Sequence, residues 1–313
     1  MSVTLCSEAL SGCSGCEMSL LDAGDGSLSL LKKFDIVHMP ILMDHKYFSS
    51  VDGEQEIHIP RARLGLISGG VRNGQQLRIA EEMRRQCDTI VAFGTCAAYG
   101  GIPAMMNLFE DEELFRRYYR GAEGTDSARN PWQVIPPFLE RTFALNEKIA
   151  VDFTLPGCPP HPDYIALALE SIREGKSPPE LPAVSVCDSC RAKREGKGSV
   201  QKIRRFLKNA RYQPDKPISE MRCLLDQGFL CMGPVTLAGC AGMSGGPPRC
   251  IEARVPCRGC HGPVRRGGSQ LMDILNALVS NGIDTKSLPD RLSILRFSGA
   301  HGRLNRHFVQ KPD

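Results

Sequence analysis

Twelve of the fourteen cysteines in this 313-residue chain sort into three groups of four, each seeded by a Cys-x-x-Cys pair. The pairs are Cys13-Ser14-Gly15-Cys16, Cys187-Asp188-Ser189-Cys190 and Cys257-Arg258-Gly259-Cys260. A helix start or tight turn lets two thiolates at this spacing bind one metal centre, and a centre with four ligands takes two more from elsewhere. Cys96, in Phe93-Gly94-Thr95-Cys96, and Cys158, in Pro156-Gly157-Cys158-Pro159-Pro160, each end a short apolar run and are placed to join Cys13 and Cys16. Cys223 and Cys231 follow Cys187 and Cys190, while Cys240 and Cys250 precede Cys257 and Cys260. Cys6 and Cys87 are left over, and the expectation for both is a buried thiol. A second reading makes Cys6, close in sequence to the Cys13 loop, a redox-sensitive thiol.

With about 150 residues to a domain, the length allows two domains, and 42% hydrophobic residues is ordinary for a globular protein. The start Met1-Ser2-Val3-Thr4-Leu5 lacks the charged and apolar parts of an export signal, and no apolar run nears the roughly 20 residues of a spanning helix. The expectation is a cytoplasmic chain with no membrane span, in which abundant cysteine means metal binding or redox work rather than disulfides. A net charge of +4 is too small to imply nucleic-acid binding. It is unevenly spread, however: between Arg191 and Lys216, ten Lys or Arg stand against Glu195 and Asp215 alone. One reading is a solvated helix face in a connecting segment; the other is a docking surface for an acidic partner. The aromatic interleaving that single-stranded nucleic acid requires is limited to Phe206 and Tyr212.

The first half of the chain alternates short apolar runs, Val3–Leu5, Asp35–His38, Leu64–Ile67, Thr89–Phe93 and Ile149–Leu155, with helix-period segments at Gln75–Gln86 and Asp163–Arg173. Alternation of this kind means an α/β domain with a parallel sheet, whose ligands collect in loops beyond the carboxyl ends of the strands. Cys13 and Cys16 follow the first run, Cys96 the fourth and Cys158 the fifth, so three loops converge on one edge. The texture changes at the turn-rich stretch Gly175–Pro182. Beyond it cysteine, glycine and proline are dense and strands are hard to find, as expected where metal centres take the place of an apolar core. One clear helix remains, Gln270–Asn281, whose Leu271, Ile274, Leu275 and Leu278 are expected to pack on the sheet domain. The polar, basic end Ala300–Asp313 reads as an arm ordered against a partner. The expected division is a sheet domain over 1–176, a smaller irregular domain over 177–290 and a tail over 291–313.

Thiolates suit zinc, copper(I) and iron-sulfur clusters. A zinc ribbon usually has two Cys-x-x-Cys pairs 15–20 residues apart, and no group here contains two pairs. The uneven spread of each group favours the larger iron-sulfur cluster, and proline after Cys158 recurs in ferredoxin-type sites. Cys257-Arg258-Gly259-Cys260-His261 also spells the attachment pattern for c-type haem, chemistry that normally belongs outside the cytosol. Four thiolates close each group, so none offers an open catalytic position, and the chain has no phosphate loop of the G-x-G-x-x-G or Walker type. The chain is thus expected to carry electrons, with no catalytic residue of its own.

Cys13-Ser14-Gly15-Cys16-Glu17, Gly94-Thr95-Cys96-Ala97, Gly157-Cys158-Pro159-Pro160, and Cys240-Ala241-Gly242 with Cys257-Arg258-Gly259-Cys260 resemble the small subunit of nickel-iron hydrogenases, in order and over nearly the whole chain. The resemblance implies a flavodoxin-like domain whose proximal 4Fe-4S cluster, held by Cys13, Cys16, Cys96 and Cys158, lies beside the nickel-iron centre of a partner large subunit. It also implies a C-terminal domain with a medial cluster on Cys240, Cys250, Cys257 and Cys260 and a distal one on Cys187, Cys190, Cys223 and Cys231. Membrane-bound and periplasmic members carry histidine where Cys187 stands and a proline near Cys250 that leaves a three-iron centre. Two thiolates here imply three 4Fe-4S clusters of lower potential. Without an export signal the chain resembles the cytoplasmic methanogen hydrogenases that reduce methyl viologen but not the deazaflavin coenzyme. In that group electrons leave through a 2Fe-2S subunit to heterodisulfide reductase, where a flavin bifurcates them.

In this frame Glu17 serves its helix dipole or lines the subunit interface. His161, Arg249 and Arg258 either donate hydrogen bonds to cluster sulfurs or lie at the surface, and His261 supports a ligand or is exposed. Competing readings are the small subunit of a deazaflavin-reducing or sulfur-reducing hydrogenase, a zinc module docking nucleic acid through Arg191–Lys216, and a subunit of a respiratory quinone reductase, a family that lacks the eight C-terminal cluster cysteines.

Overall fold

The computed structural model describes residues 2–305 apart from 23–24, 45–47, 52–53, 122, 125–134, 179, 197–199, 201, 205–209, 211–214, 266 and 289. The chain forms two compact units, one of Met1–Pro159 with Arg296–Asp313 and one of Pro160–Leu295. The division falls earlier than the turn-rich stretch 175–182, which lies within the second unit.

In the first unit the apolar runs become five strands: β1 (Val3–Ala9), β2 (Phe34–His38), β3 (Ala62–Ser68), β4 (Cys87–Phe93) and β5 (Phe153–Leu155). They lie in the order β2-β1-β3-β4-β5, every pairing parallel, which is the flavodoxin-like arrangement. Leu5, Leu64, Leu66, Ile67, Ile90 and Val91 are all buried, which is why these strands read as continuous apolar runs rather than alternating ones. Helix α1 (Gly74–Gln86) starts where the Asn73 side chain accepts from the Gln76 N–H at 2.9 Å, a cap worth about 0.5–2 kcal/mol. It buries Ile79, Ala80 and Met83. The fifth strand is shorter than its apolar run, because Asp152 turns its carboxylate onto the Ile90 N–H (2.7 Å) and Arg84 (2.6 Å).

Gly65 leaves a gap on the central strand. A Cβ there would lie 2.9 Å from Cys87 Sγ, and Cys6 is its register partner on β1. The two leftover thiols, both buried, lie close enough to shift each other's pKa values in opposite directions, and Cys6 Sγ donates to the Pro60 carbonyl at 3.4 Å. At the other end of β1, Glu8 and His38 form a buried pair at 2.5 Å. The end of the chain returns to this unit: the Ala300 N–H donates to the Tyr99 carbonyl at 3.0 Å, and Leu304 is fully buried. Ala300 and Leu304 therefore anchor this stretch on the unit in place of the expected arm, and 306–313 lie outside the described residues.

The second unit holds α2 (Pro162–Arg173) and α3 (Gln270–Ser280) among short turns, with only isolated bridges in place of strands among its described residues. It nevertheless has an apolar core of its own. Leu224, Leu225, Phe229 and Met232 pack with Ile274 and Leu278 of α3, and Cys231 and Cys257 are part of the same cluster. Two expectations change here: the stripe of α3 packs into this core rather than on the sheet domain, and the cysteines line a core instead of replacing one. The described parts of Arg191–Lys216 are extended and bent, not helical, and Phe206 and Tyr212 lie outside the described residues. Among the described residues no helix is long and apolar enough to cross a membrane.

Candidate metal centres

Strand order places the β1 loop at the switch point of the sheet, where the chain leaves in opposite directions and a crevice opens. Ser11 and Gly70 exchange backbone hydrogen bonds of 3.0 and 2.9 Å, tying the β1 loop to the β3 loop. Between Cys13 and Cys16, Ser14 adopts φ 57°, a left-handed conformation that costs a residue with a Cβ about 1–2 kcal/mol. The five-residue helix Gly15–Ser19 follows. Cys96 sits on the short helix Thr95–Tyr99 directly after β4, and Cys158 on the loop after β5. Thr95 links these two loops: its N–H donates to the Gly157 carbonyl at 2.9 Å, and its hydroxyl accepts from the Gly157 N–H at 3.0 Å. Replacing Thr95 by valine strands that buried N–H, at a cost of about 1–3 kcal/mol. Denaturant unfolding of T95V beside T95S is expected to show this loss in the valine variant alone.

The four thiols are close enough to act on one another. Burial pushes the Cys16 thiol far up, with the Glu17 carboxylate and then Cys96, Cys158 and Cys13 adding to it. Burial, then Cys158 and Cys13, push Cys96 up to about 12. Glu17 itself is buried, and neither carboxylate oxygen has a hydrogen-bond partner among the described residues.

The cysteines of the other two groups all lie within the second unit. Burial, followed by Cys231, Cys190 and Cys223, pushes Cys187 up to about 12. Cys231 is pushed up to about 12 by burial, against the pull of backbone N–H groups of Gly233 and Cys257. Cys257 is raised by burial, then by Cys231, and also by Cys260 and Cys250, and Cys250 acts on Cys240. Within each of these two groups the thiols thus raise one another's pKa values.

Among the supporting residues, the Arg249 backbone pulls the Cys240 thiol pKa down against the burial that raises it. His161 caps α2, its Nδ1 accepting from the Asp163 N–H at 3.2 Å. His261 is buried rather than exposed, and burial holds its pKa down at about 4.

Among the described residues, which include all fourteen cysteines, there is no disulfide, and no three Cys, His, Asp or Glu side chains converge on the volume of a single ion. Four soft thiolates are the donor set of an iron-sulfur cluster, so the residues present fit that group. In the metal-free chain the raised pKa values favour neutral thiols. Their contribution to stability is full below the ordinary thiol value of 9.0 and is lost as pH rises towards about 12. The apoprotein is expected to be equally stable at pH 7 and 8 and to weaken progressively above about pH 9 in urea titrations.

Comparison with known proteins agrees with this geometry. The family described as "NADH ubiquinone oxidoreductase, 20 Kd subunit" matches residues 13–172, the span that carries the first group. A subunit of the vhu F420-non-reducing hydrogenase of Methanocaldococcus jannaschii is 36% identical over 95% of each chain. The iron-sulfur subunit of the F420-non-reducing hydrogenase of Archaeoglobus profundus is 34% identical over 94% of each. Among solved structures, a chain of an NAD+-reducing [NiFe]-hydrogenase superimposes with a TM-score of 0.50 and 28% identity, covering 58% of this chain and 97% of that one. A parallel sheet that gathers cysteine loops on one edge, joined to a cysteine-rich unit, defines an electron-transferring subunit. The chain belongs to the small-subunit family of the nickel-iron hydrogenases, oxidoreductases that act on H2 as complexes.

Proposed function

We propose that this chain conducts electrons from H2 oxidation on a partner large subunit through three 4Fe-4S clusters. Cys13, Cys16, Cys96 and Cys158 hold the proximal centre, Cys240, Cys250, Cys257 and Cys260 the medial one, and Cys187, Cys190, Cys223 and Cys231 the distal one. When bound, each cluster supplies one-electron chemistry; the chain supplies thiolates, burial and hydrogen bonds that set where the electron rests. The observation that carries this reading is the family of the chain, and the influence of the thiols on one another within each set supports it. The similarity to iron-sulfur subunits of F420-non-reducing hydrogenases along nearly the full chain supports a cytoplasmic complex that passes electrons to a 2Fe-2S subunit and on to a heterodisulfide reductase, where a flavin bifurcates them.

Anaerobic iron, sulfide and zinc analysis of the chain with its co-purifying partners tests the reading. About twelve iron and twelve sulfide per chain, after subtraction of partner clusters, is the expected result; zinc with little iron overturns it. Replacing Cys250 by proline is expected to convert the medial centre to a three-iron form, losing about one iron and changing its EPR spectrum. An unchanged spectrum and iron content removes Cys250 from the ligand set.

A further inference from the structure

The second and third groups of cysteines touch. Cys257, of the group 240, 250, 257 and 260, donates its backbone N–H to the Sγ of Cys231, of the group 187, 190, 223 and 231, at 3.3 Å. The bond is returned one residue on, where the Met232 N–H donates to the Cys257 carbonyl at 2.9 Å. Both cysteines are close to fully buried, at 6% and 5% exposure. After burial, the strongest influence on the Cys257 thiol is Cys231, ahead of Cys260 and Cys250 of its own group.

Two further features hold this contact in place. Gly233 lies against both groups: a Cβ there would stand 3.1 Å from Cys187 Sγ, 3.6 Å from Cys231 Sγ and 3.9 Å from Cys257 Cβ. Gln270, buried at the start of α3, donates from Nε2 to the carbonyls of Gly259 (3.2 Å) and Gly262 (3.0 Å) and to Thr236 Oγ1 (3.3 Å). Thr236 Oγ1 in turn donates to the Met232 carbonyl at 2.6 Å. The loop carrying Cys257 and the turn carrying Cys231 are therefore fixed to each other by a buried network.

We infer that Cys231 and Cys257 form a direct electronic junction between the two groups, through which the groups share charge and accept electrons anticooperatively. The inference rests on the reading that each group holds a cluster. An electron delivered from H2 enters one group without making or breaking a bond, and leaves one added negative charge there. Cys231 Sγ carries part of that charge, and the Cys257 peptide dipole, aimed at it in a dry surrounding, transmits it to the neighbouring ligand. The second electron then meets a repulsion that water does not screen. The second electron therefore enters the pair at a lower potential than the first.

The test is an EPR-monitored redox titration of the anaerobic complex, with iron counted in every sample, on the unmodified protein and on C231S and C187S. Both serines replace ligands of the same group, but only residue 231 accepts the Cys257 hydrogen bond. The expected result is that C231S shifts the midpoint potentials of both groups, whereas C187S shifts only its own. Shifts confined to the substituted group in both variants overturn the junction. A second measurement stands if a substitution costs its centre outright. The fully reduced unmodified complex is expected to show a spectrum split by interaction between the two centres, and a simple sum of two independent signals overturns the proposal. Iron analysis separates the two levels of the argument. An unmodified chain without iron at these groups overturns the ligand reading itself, while a loaded chain with independent potentials overturns the junction alone.

Discussion

Replacing Gly94 by alanine is expected to leave the chain about four iron atoms short and to abolish H2-dependent reduction of its remaining centres. Gly94 has φ +88°, a conformation that costs any residue with a Cβ about 1–2 kcal/mol. Strain is the smaller part. A Cβ at this position would lie 2.2 Å from Cys16 Sγ, well inside contact distance, so the thiol cannot keep its place beside Cys13, Cys96 and Cys158. Gly101 poses the same conflict with Cys96, its Cβ falling 2.5 Å from that Sγ. Gly124 is the control: its φ is +83°, and a Cβ there meets nothing within 4 Å among the described residues. G124A is expected to keep its full iron content, with G94A and G101A both deficient. Equal iron in all three would mean that the thiol positions do not depend on these glycines.

Replacing Phe93 by alanine is expected to cost about 3–5 kcal/mol, the usual range for a fully buried phenylalanine. Phe93 is among the largest fully buried side chains of the first unit and is the last residue of β4, one position before Gly94. Its packing therefore does two things at once: it fills the core and fixes the direction in which Gly94-Thr95-Cys96 leaves the sheet. F93L, which keeps most of the volume, is expected to cost less than about 1.5 kcal/mol. Denaturant unfolding of the loaded chain measures both. A small loss in F93A would show that the hydrogen bonds of Thr95 to Gly157, rather than the core, aim the Cys96 loop.

Much of the first unit was legible because its physics is local. Strands buried on both faces leave continuous apolar runs, and a parallel order forces the loops of Cys13, Cys96 and Cys158 to one edge. The helix-period segments at 75–86 and 163–173 also became helices, the second beginning at Pro162 with a histidine cap. What was not legible depends on partners distant in sequence. The Asp152 carboxylate shortens β5 by bonding Ile90, and no apolar pattern records that. Leu304 looked like part of a polar tail, and only the fold shows that it is buried. The core of the second unit is built from Phe229, Met232, Ile274 and Leu278, which lie on turns and one helix and share no common period. Thr95 was visible inside its motif but had no assigned work, and the contact between Cys231 and Cys257 joins residues that spacing alone sorts into different groups. The meeting of Cys6 and Cys87 was likewise hidden, since it needs the missing side chain of Gly65 between them.

The first unit is split in the gene order, with Pro160–Leu295 interposed before Arg296 and the residues after it complete the fold. A ribosome making this chain releases the cysteines of every group before it releases Leu304. Ala300 and His301 bond Tyr99 and Glu147, so during synthesis there is an interval in which all twelve thiols exist while the first unit still lacks these contacts. A nascent chain paused in that interval carries every one of those thiols but not yet the residues that pack at Tyr99 and Glu147.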